Sequence, residues 1–412
     1  MTGERDVATG GRDTIYDELG VPSVVNATGT KTRIGGTLIR EEALEAMNRA
    51  AEAFVRISDL QAAASERIAE ATGAEAGYVT NGASSALTLA AAACIAGDDL
   101  GAMARLPDTE GVPDEIIVPR THRNGYDHAL RVAGAELVDV GGNDYHLGTG
   151  SENTELWEIE DAISEETAAV AYMEKPFTQP PLPDVCEVAH AHDVPVIVDA
   201  AAELPPTRNL SKYSEQGADL VAFSGGKAIR GPQSSGILAG RADLITSVAR
   251  QHLDMHAAEA AYEPPEDLVA ADELPGVPRQ GIGRSMKVGK EELAGLVAAL
   301  EAFIAEDDDA VLAEWHDRAA RIAGALESVD GLETELANAG KTEAVTSVTV
   351  TVTDSAPVSA TDIVHGLRQE NPRVFVGADD LHLSQFTINP RCLPDEEVDY
   401  VVERIAANAE SV

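Results

Sequence analysis

Short apolar runs, each closed by a residue that can do chemistry, constrain this chain more than any other feature. Two of them, Val194-Pro195-Val196-Ile197-Val198-Asp199 and Asp219-Leu220-Val221-Ala222-Phe223-Ser224, follow one another closely. A run that is apolar along its whole length, rather than at every second position, belongs to a strand buried on both faces. Such strands build parallel, helix-covered sheets. Five more runs of this form lie at residues 77–80, 115–119, 135–140, 167–173 and 235–240, several separated by helix-period stretches such as residues 183–192. The pattern predicts an α/β fold with a mostly parallel seven-stranded sheet covered by helices. In an open sheet of that kind, ligands bind beyond the carboxyl ends of the strands. Asp199 and the turn that follows Ser224 are thereby directed toward one crevice.

That turn, Gly225-Gly226-Lys227-Ala228-Ile229-Arg230-Gly231, sets a lysine among small residues in a chain with only seven lysines against 23 arginines. A Schiff base requires an amine, and arginine cannot supply it because its guanidinium stays protonated. Lys227 lies 28 positions after Asp199. Pyridoxal phosphate needs this pair of groups: a lysine to link covalently, and a carboxylate to keep the pyridine nitrogen protonated so that the ring accepts electrons. Each residue has an ordinary alternative, a solvated lysine in a glycine-rich turn or a turn-forming aspartate. Their arrival on consecutive strands favours the functional reading.

A third element is the strand-like run 77–80, followed by Asn81-Gly82-Ala83-Ser84-Ser85-Ala86 and a long Ala/Leu-rich helical stretch. Backbone N–H groups and small hydroxyls at a helix start suit a phosphate, and glycine lets the backbone approach it. Gly82, Ala83, Ser84 and Ser85, with Ser224 at the end of the lysine-bearing strand, are the expected cofactor-binding residues beside Lys227 and Asp199. His122 follows the run 115–119 and is expected over the cofactor ring, the alternative being a structural histidine.

These segments resemble a fold-type I pyridoxal-phosphate enzyme of the group related to bacterial selenocysteine synthase, and within it the D-glucosaminate-6-phosphate ammonia-lyase type. Further stretches carry the resemblance: Val25-Asn26-Ala27-Thr28-Gly29-Thr30, residues 54–61, Thr72-Gly73-Ala74-Glu75-Ala76 and residues 283–291. It extends over most of the chain from about residue 16 to residue 391. The resemblance implies catalysis by Lys227, Asp199 and His122, with ammonia-releasing elimination from a 2-amino-3-hydroxy acid such as D-glucosaminate or its 6-phosphate. A substrate acid calls for cationic clamps, ideally bidentate arginine. Arg391 resembles the carboxylate-binding arginine near the C-terminus of fold-type I enzymes. Arg33, Arg56, Arg123, Arg230 and Arg284 are further candidates because they lie within the resembling segments.

The expected organisation is an N-terminal arm with first helices over 1–60, a large pyridoxal-phosphate-binding domain over 61–280 and a smaller C-terminal α/β domain over 281–412. Residues 262–278, rich in proline and acid, read as a surface loop. Helices at 290–305 and 310–328 lead to strands at 344–353, 373–377 and 384–388.

Composition narrows the function. A net charge of −41, with 4% aromatic residues, fits a solvated acidic surface of the kind found in a high-salt cytoplasm. No basic cluster serves to neutralise nucleic-acid phosphates, so seryl-tRNA selenium transfer is the lesser alternative and no nucleic-acid partner is expected. Aminotransfer uses the same lysine and aspartate and stays open, as does a pyridoxal-phosphate-binding protein without turnover. Cys94, Cys186 and Cys392 have no metal-ligand spacing and suggest a reducing compartment, so no metal is expected. The polar start lacks a secretory signal, and the longest apolar run, near 86–96, is too short to span a bilayer. A cytoplasmic homodimer or larger homo-oligomer acting on a small molecule is the expectation, without a membrane partner.

Overall fold

The computed structural model describes residues 14–142, 154–175, 178–253, 258–269, 274–279, 281–338 and 345–410. Its strands in chain order are β1 (Val24–Ala27), β2 (Ala76–Thr80), β3 (Glu115–Pro119), β4 (Glu136–Val140), β5 (Thr167–Met173), β6 (Val196–Asp199), β7 (Leu220–Ser224), β8 (Gly236–Gly240), β9 (Leu332–Asn338), β10 (Thr346–Val352), β11 (Arg373–Val376) and β12 (Gln385–Ile388).

The chain divides into two compact units. One takes residues 39–305, the other the chain up to Leu38 together with residues from Glu306 onward. These boundaries differ from the expected ones at 60/61 and 280/281, for two physical reasons. The helix Lys290–Ile304 packs on the helix Glu41–Ala51, and its Leu293, Leu296, Leu300 and Phe303 join the core beneath the large sheet. The N-terminal arm, in turn, supplies β1, which pairs in parallel with β11 through Val24 and Arg373.

In the larger unit the seven strands run in the order β2-β8-β7-β6-β5-β3-β4. All neighbours from β7 to β4 are parallel, while β8 is antiparallel to both β7 and β2. Successive side chains go to opposite faces. Ile116, Val118, Ile197, Leu220 and Ala222 enter one core, and Ile117, Val196, Val198, Val221 and Phe223 the other. Burial on both faces is why these strands read as unbroken apolar runs. β3 and β5 have the predicted bounds, whereas β6 starts two residues later than expected. Val194 donates its N–H to Ala189 O of the preceding helix, and Pro195 has none to donate.

The smaller unit holds the antiparallel sheet β12-β10-β9, the β1–β11 pair and the helices Asp308–Leu326, Ala360–Leu367 and Asp395–Glu410. Sequence reading missed β1 and β9. The Leu332-Glu333-Thr334-Glu335-Leu336 alternation of β9 lacks the apolar density used to find strands, and β1 is four residues long. Three expected features fall partly or wholly outside the described residues: the start at 1–13, Ala344 of the strand predicted at 344–353, and residues 270–273 of the loop predicted at 262–278. Among the described residues no helix is long and apolar enough to cross a membrane.

Candidate active site

The carboxyl ends of the parallel strands form one edge of the large sheet, and β8 enters the sheet at that edge. Gly236 is in register with Thr80 of β2 on one side and with Ser224 of β7 on the other. Next along, Ala222 pairs with Asp199, and Asp199 with Met173. The loop after Thr80, the turn after Ser224 and the Asp199 carboxylate therefore emerge side by side from a single edge.

The loop after Thr80 turns at Gly82, whose φ is 80°, directly into the helix Gly82–Ala96. Thr80 Oγ1 donates to Gly82 O at 3.0 Å. No side chain caps the helix start, and the Asn81 amide instead reaches Lys287 O at 3.5 Å. Its first N–H groups carry the positive end of a fifteen-residue helix dipole. Ala83 and Ser85 are half-buried and Ser84 is exposed. A Cβ on Gly236 would come within 2.5 Å of Gly82 C and 2.7 Å of Ala83 N, so the loop seats on bare strand backbone.

Asp199 and His122 line one cleft holding about 350 Å³ open to solvent, together with Asn124, Tyr126, Tyr172 and Met173. The amide of Ala201 donates to Asp199 Oδ1 at 3.0 Å and fixes the carboxylate's orientation. His122, in the short 3-10 turn after β3, is buried. The Met173 N–H lies 3.4 Å from its Nδ1, which must therefore accept, and Nε2–H donates to Gln179 O at 3.0 Å. Burial, opposed only by that last bond, pushes the His122 pKa down to about 4. The ring is neutral with both nitrogens engaged. It presents a ring face to the cleft it lines with Asp199.

Lys227 is half-buried in the turn after β7. The turn is closed by hydrogen bonds from Arg230 N to Lys227 O (3.0 Å), Gly231 N to Gly225 O (2.8 Å) and Gly225 N to Ser235 O (2.9 Å). A Cβ at Gly225 would meet Ser235 Oγ at 2.3 Å, and one at Gly226 would meet Gln233 backbone at 2.8 Å. The glycines that drew notice in the sequence are there for close packing.

The candidate arginines separate. Arg123 donates to Asp127 at 2.5 Å and to Asp139 at 2.6 Å, and Arg56 to Asp59 at 2.8 Å and Glu263 O at 2.5 Å. Both forks hold protein groups and are poor choices for a substrate clamp. Arg284 is half-buried in the turn Ile282–Met286, and Arg230 is exposed. In the smaller unit, Arg33 is exposed, and Arg391 lies with its guanidinium 5.4 Å from the Trp315 ring centroid.

Sequence reading overlooked two lysine–carboxylate pairs that follow β5. Lys175 pairs with Glu203, and Lys212 Nζ lies 3.0 Å from Glu174 Oε1. Burial pushes the Glu203 carboxyl up, against the pull of Lys175. Two of the chain's seven lysines sit here, which was the available signal.

The fold and this sheet edge define a member of the aminotransferase class-V family, to which the chain belongs: the family's sequence profile matches residues 128–379. Over 405 residues, 96% of this chain and 98% of the relative, it is 31% identical to D-glucosaminate-6-phosphate ammonia lyase of Salmonella typhimurium. Identity is also 31% to a 5'-C-glycyluridine monooxygenase-decarboxylase of a Streptomyces species, over 97% of this chain and 93% of that one. The solved structure of a D-glucosaminate-6-phosphate ammonia-lyase superposes with a TM-score of 0.78 at 30% identity, covering 97% of this chain and all of the other. The chain is a pyridoxal-phosphate-dependent enzyme of fold type I, and the full-length match to an ammonia lyase supports the lyase class expected from sequence.

The residues present fit that cofactor. An uncapped helix start pressed against a glycine strand suits a phosphate, a fixed carboxylate suits a pyridine nitrogen, and a neutral imidazole beside that carboxylate suits a ring face.

Proposed function

We propose that this enzyme catalyses ammonia-releasing elimination from a 2-amino-3-hydroxy acid of the amino-sugar type, with D-glucosaminate and its 6-phosphate as the first substrates to test. The observation that carries the reading is the row of Gly82, Ser224 and Asp199 at one sheet edge with Lys227 in the adjoining turn, in a chain that matches an ammonia lyase along its length.

When bound, pyridoxal phosphate supplies an electron sink for the bonds at the substrate's Cα. Lys227 would hold it covalently and would serve as the base that takes the substrate's Cα proton. Asp199 holds the proton at the pyridine nitrogen. His122 would pack against the cofactor's ring, Ser224 and the N–H groups of Gly82, Ala83, Ser84 and Ser85 would hold its phosphate, and Arg391, Arg33, Arg230 and Arg284 are the candidates for the substrate's acid groups. Loss of the Cα proton and the β-hydroxyl as water, followed by hydrolysis, gives a 2-oxo-3-deoxy acid and ammonia.

The acidic composition argues against a tRNA substrate. It also supports a high-salt cytoplasm as the setting, and a homodimer or larger homo-oligomer is part of the proposal. The equal identity to a monooxygenase-decarboxylase favours one second reading, oxidative loss of carbon dioxide. Incubation in deuterated water with D-glucosaminate, its 6-phosphate and simpler hydroxy-amino acids separates these. Equimolar ammonia and 2-oxo-3-deoxy acid, deuterated at C3, are expected without oxygen or added oxo acid. Product that appears only with a second oxo acid would make the enzyme an aminotransferase, and carbon dioxide release tied to oxygen uptake would establish the second reading.

A further inference from the structure

Arg40 stands far from Lys227 in sequence, yet its backbone N–H and its guanidinium both donate to the turn that carries the lysine. It precedes the helix Glu41–Ala51 and is 7% exposed. Its backbone N–H donates to Arg230 O at 2.9 Å, its Nε to Ile229 O at 2.6 Å and its Nη2 to Ala228 O at 3.4 Å. The guanidinium also lies 5.9 Å from the Phe303 ring centroid, which holds it from the helix Lys290–Ile304. Three consecutive carbonyls immediately after Lys227 thus converge on one buried residue.

The turn needs such a restraint. Arg230 has φ of 57°, in the left-handed region that a residue with a side chain keeps only when its surroundings impose it. Its own N–H is tied to Lys227 O. Relaxation of Arg230 toward ordinary backbone would swing the Lys227 carbonyl and, with it, the direction in which the side chain leaves the backbone. Arginine suits the task better than lysine, because a planar fork addresses neighbouring carbonyls at once and a point charge does not.

We infer that Arg40 is a positioning residue for Lys227, setting where the amine points without touching substrate or cofactor. The inference rests on the proposed role of Lys227. It is tested with full-length R40M and R40K stripped of cofactor and then given pyridoxal phosphate. Covalent capture is followed by timed borohydride trapping with mass-spectrometric mapping, and non-covalent affinity by pyridoxine 5'-phosphate, which lacks the aldehyde. Capture at Lys227 is expected to slow about a hundredfold in R40M and less in R40K, while affinity for the analogue stays within about twofold, as for a group displaced by about an ångström. Capture by R40M at the parent rate would overturn the inference. So would a parallel loss of analogue affinity, which would show a merely structural residue. If R40M does not fold, R40K is judged by the same ratio. A parent adduct on another lysine would instead remove the Lys227 assignment, and the positioning role with it.

Discussion

The imidazole of His122 stands edge-on to the phenol ring of Tyr172, with centroids 4.8 Å apart and planes at 85°. With both nitrogens bonded to backbone, the ring is locked in a neutral form whose pKa is held down to about 4 by burial. The unfolded chain takes up a proton near pH 6.5 and the folded one does not until about pH 4, so this group lowers stability progressively as pH falls through that window and has no effect above it. The full difference is on the order of 3 kcal/mol. His122→Phe should lose less stability than the parent between those pH values in urea titrations. At neutral pH it should be less stable by about 1–3 kcal/mol for the backbone groups left unpaired. An equal acid loss in both proteins would show that the parent ring is charged in the fold.

Borohydride reduction of the holoenzyme should place its adduct on Lys227. An adduct on any of the other six lysines would remove the central assignment. Lys227→Ala should retain the phosphate end of the cofactor, because the loop after Thr80 belongs to a different strand, and it should not turn over.

Asp199→Asn keeps the shape and the Ala201 N–H bond but loses the charge. Pyridoxal phosphate should still bind, while Cα proton exchange with deuterated water slows by roughly two to three orders of magnitude, the scale set by loss of one preorganised electrostatic partner. Exchange at the parent rate would show that Asp199 is not the ring partner.

Gly236→Ala places a methyl group 2.5 Å from Gly82 C, a backbone atom that cannot turn aside. Overpacking of this kind costs about 1–3 kcal/mol, and here it should displace the loop offered to the phosphate. Cofactor affinity measured by fluorescence quenching should fall with stability. Gly324→Ala, where nothing lies within 4 Å of the added carbon and the site is helical, should leave affinity unchanged and gain up to about 1 kcal/mol. Unchanged affinity in Gly236→Ala would separate the phosphate from this loop.

A net charge of −41 implies self-repulsion that salt screens. Melting temperature and activity should rise between dilute buffer and molar potassium chloride. A flat or falling trend would count against the high-salt proposal.

The amino-acid order alone settled the elements whose burial is written in unbroken apolarity. β3 and β5 begin and end where the runs do, and Asp199 and Lys227 stand out because strand ends and small residues frame them. Local pattern reports burial, since each residue in such a strand faces a core whatever its neighbours are. It does not report pairing. The insertion of β8, reversed, between β2 and β7 brings Gly82 and Ser224 together across Gly236, and it depends on which distant edges meet. The same limit separates two aspartates that look alike at the ends of runs. Asp219 is committed to Val196 N–H, His190 and Arg241, whereas Asp199 takes one amide and lines the cleft. Arg40 had no local signal at all. Its role comes from three carbonyls nearly two hundred residues away, because hydrogen-bond satisfaction in a buried site is decided by every chain segment that reaches it, and only folding assembles those.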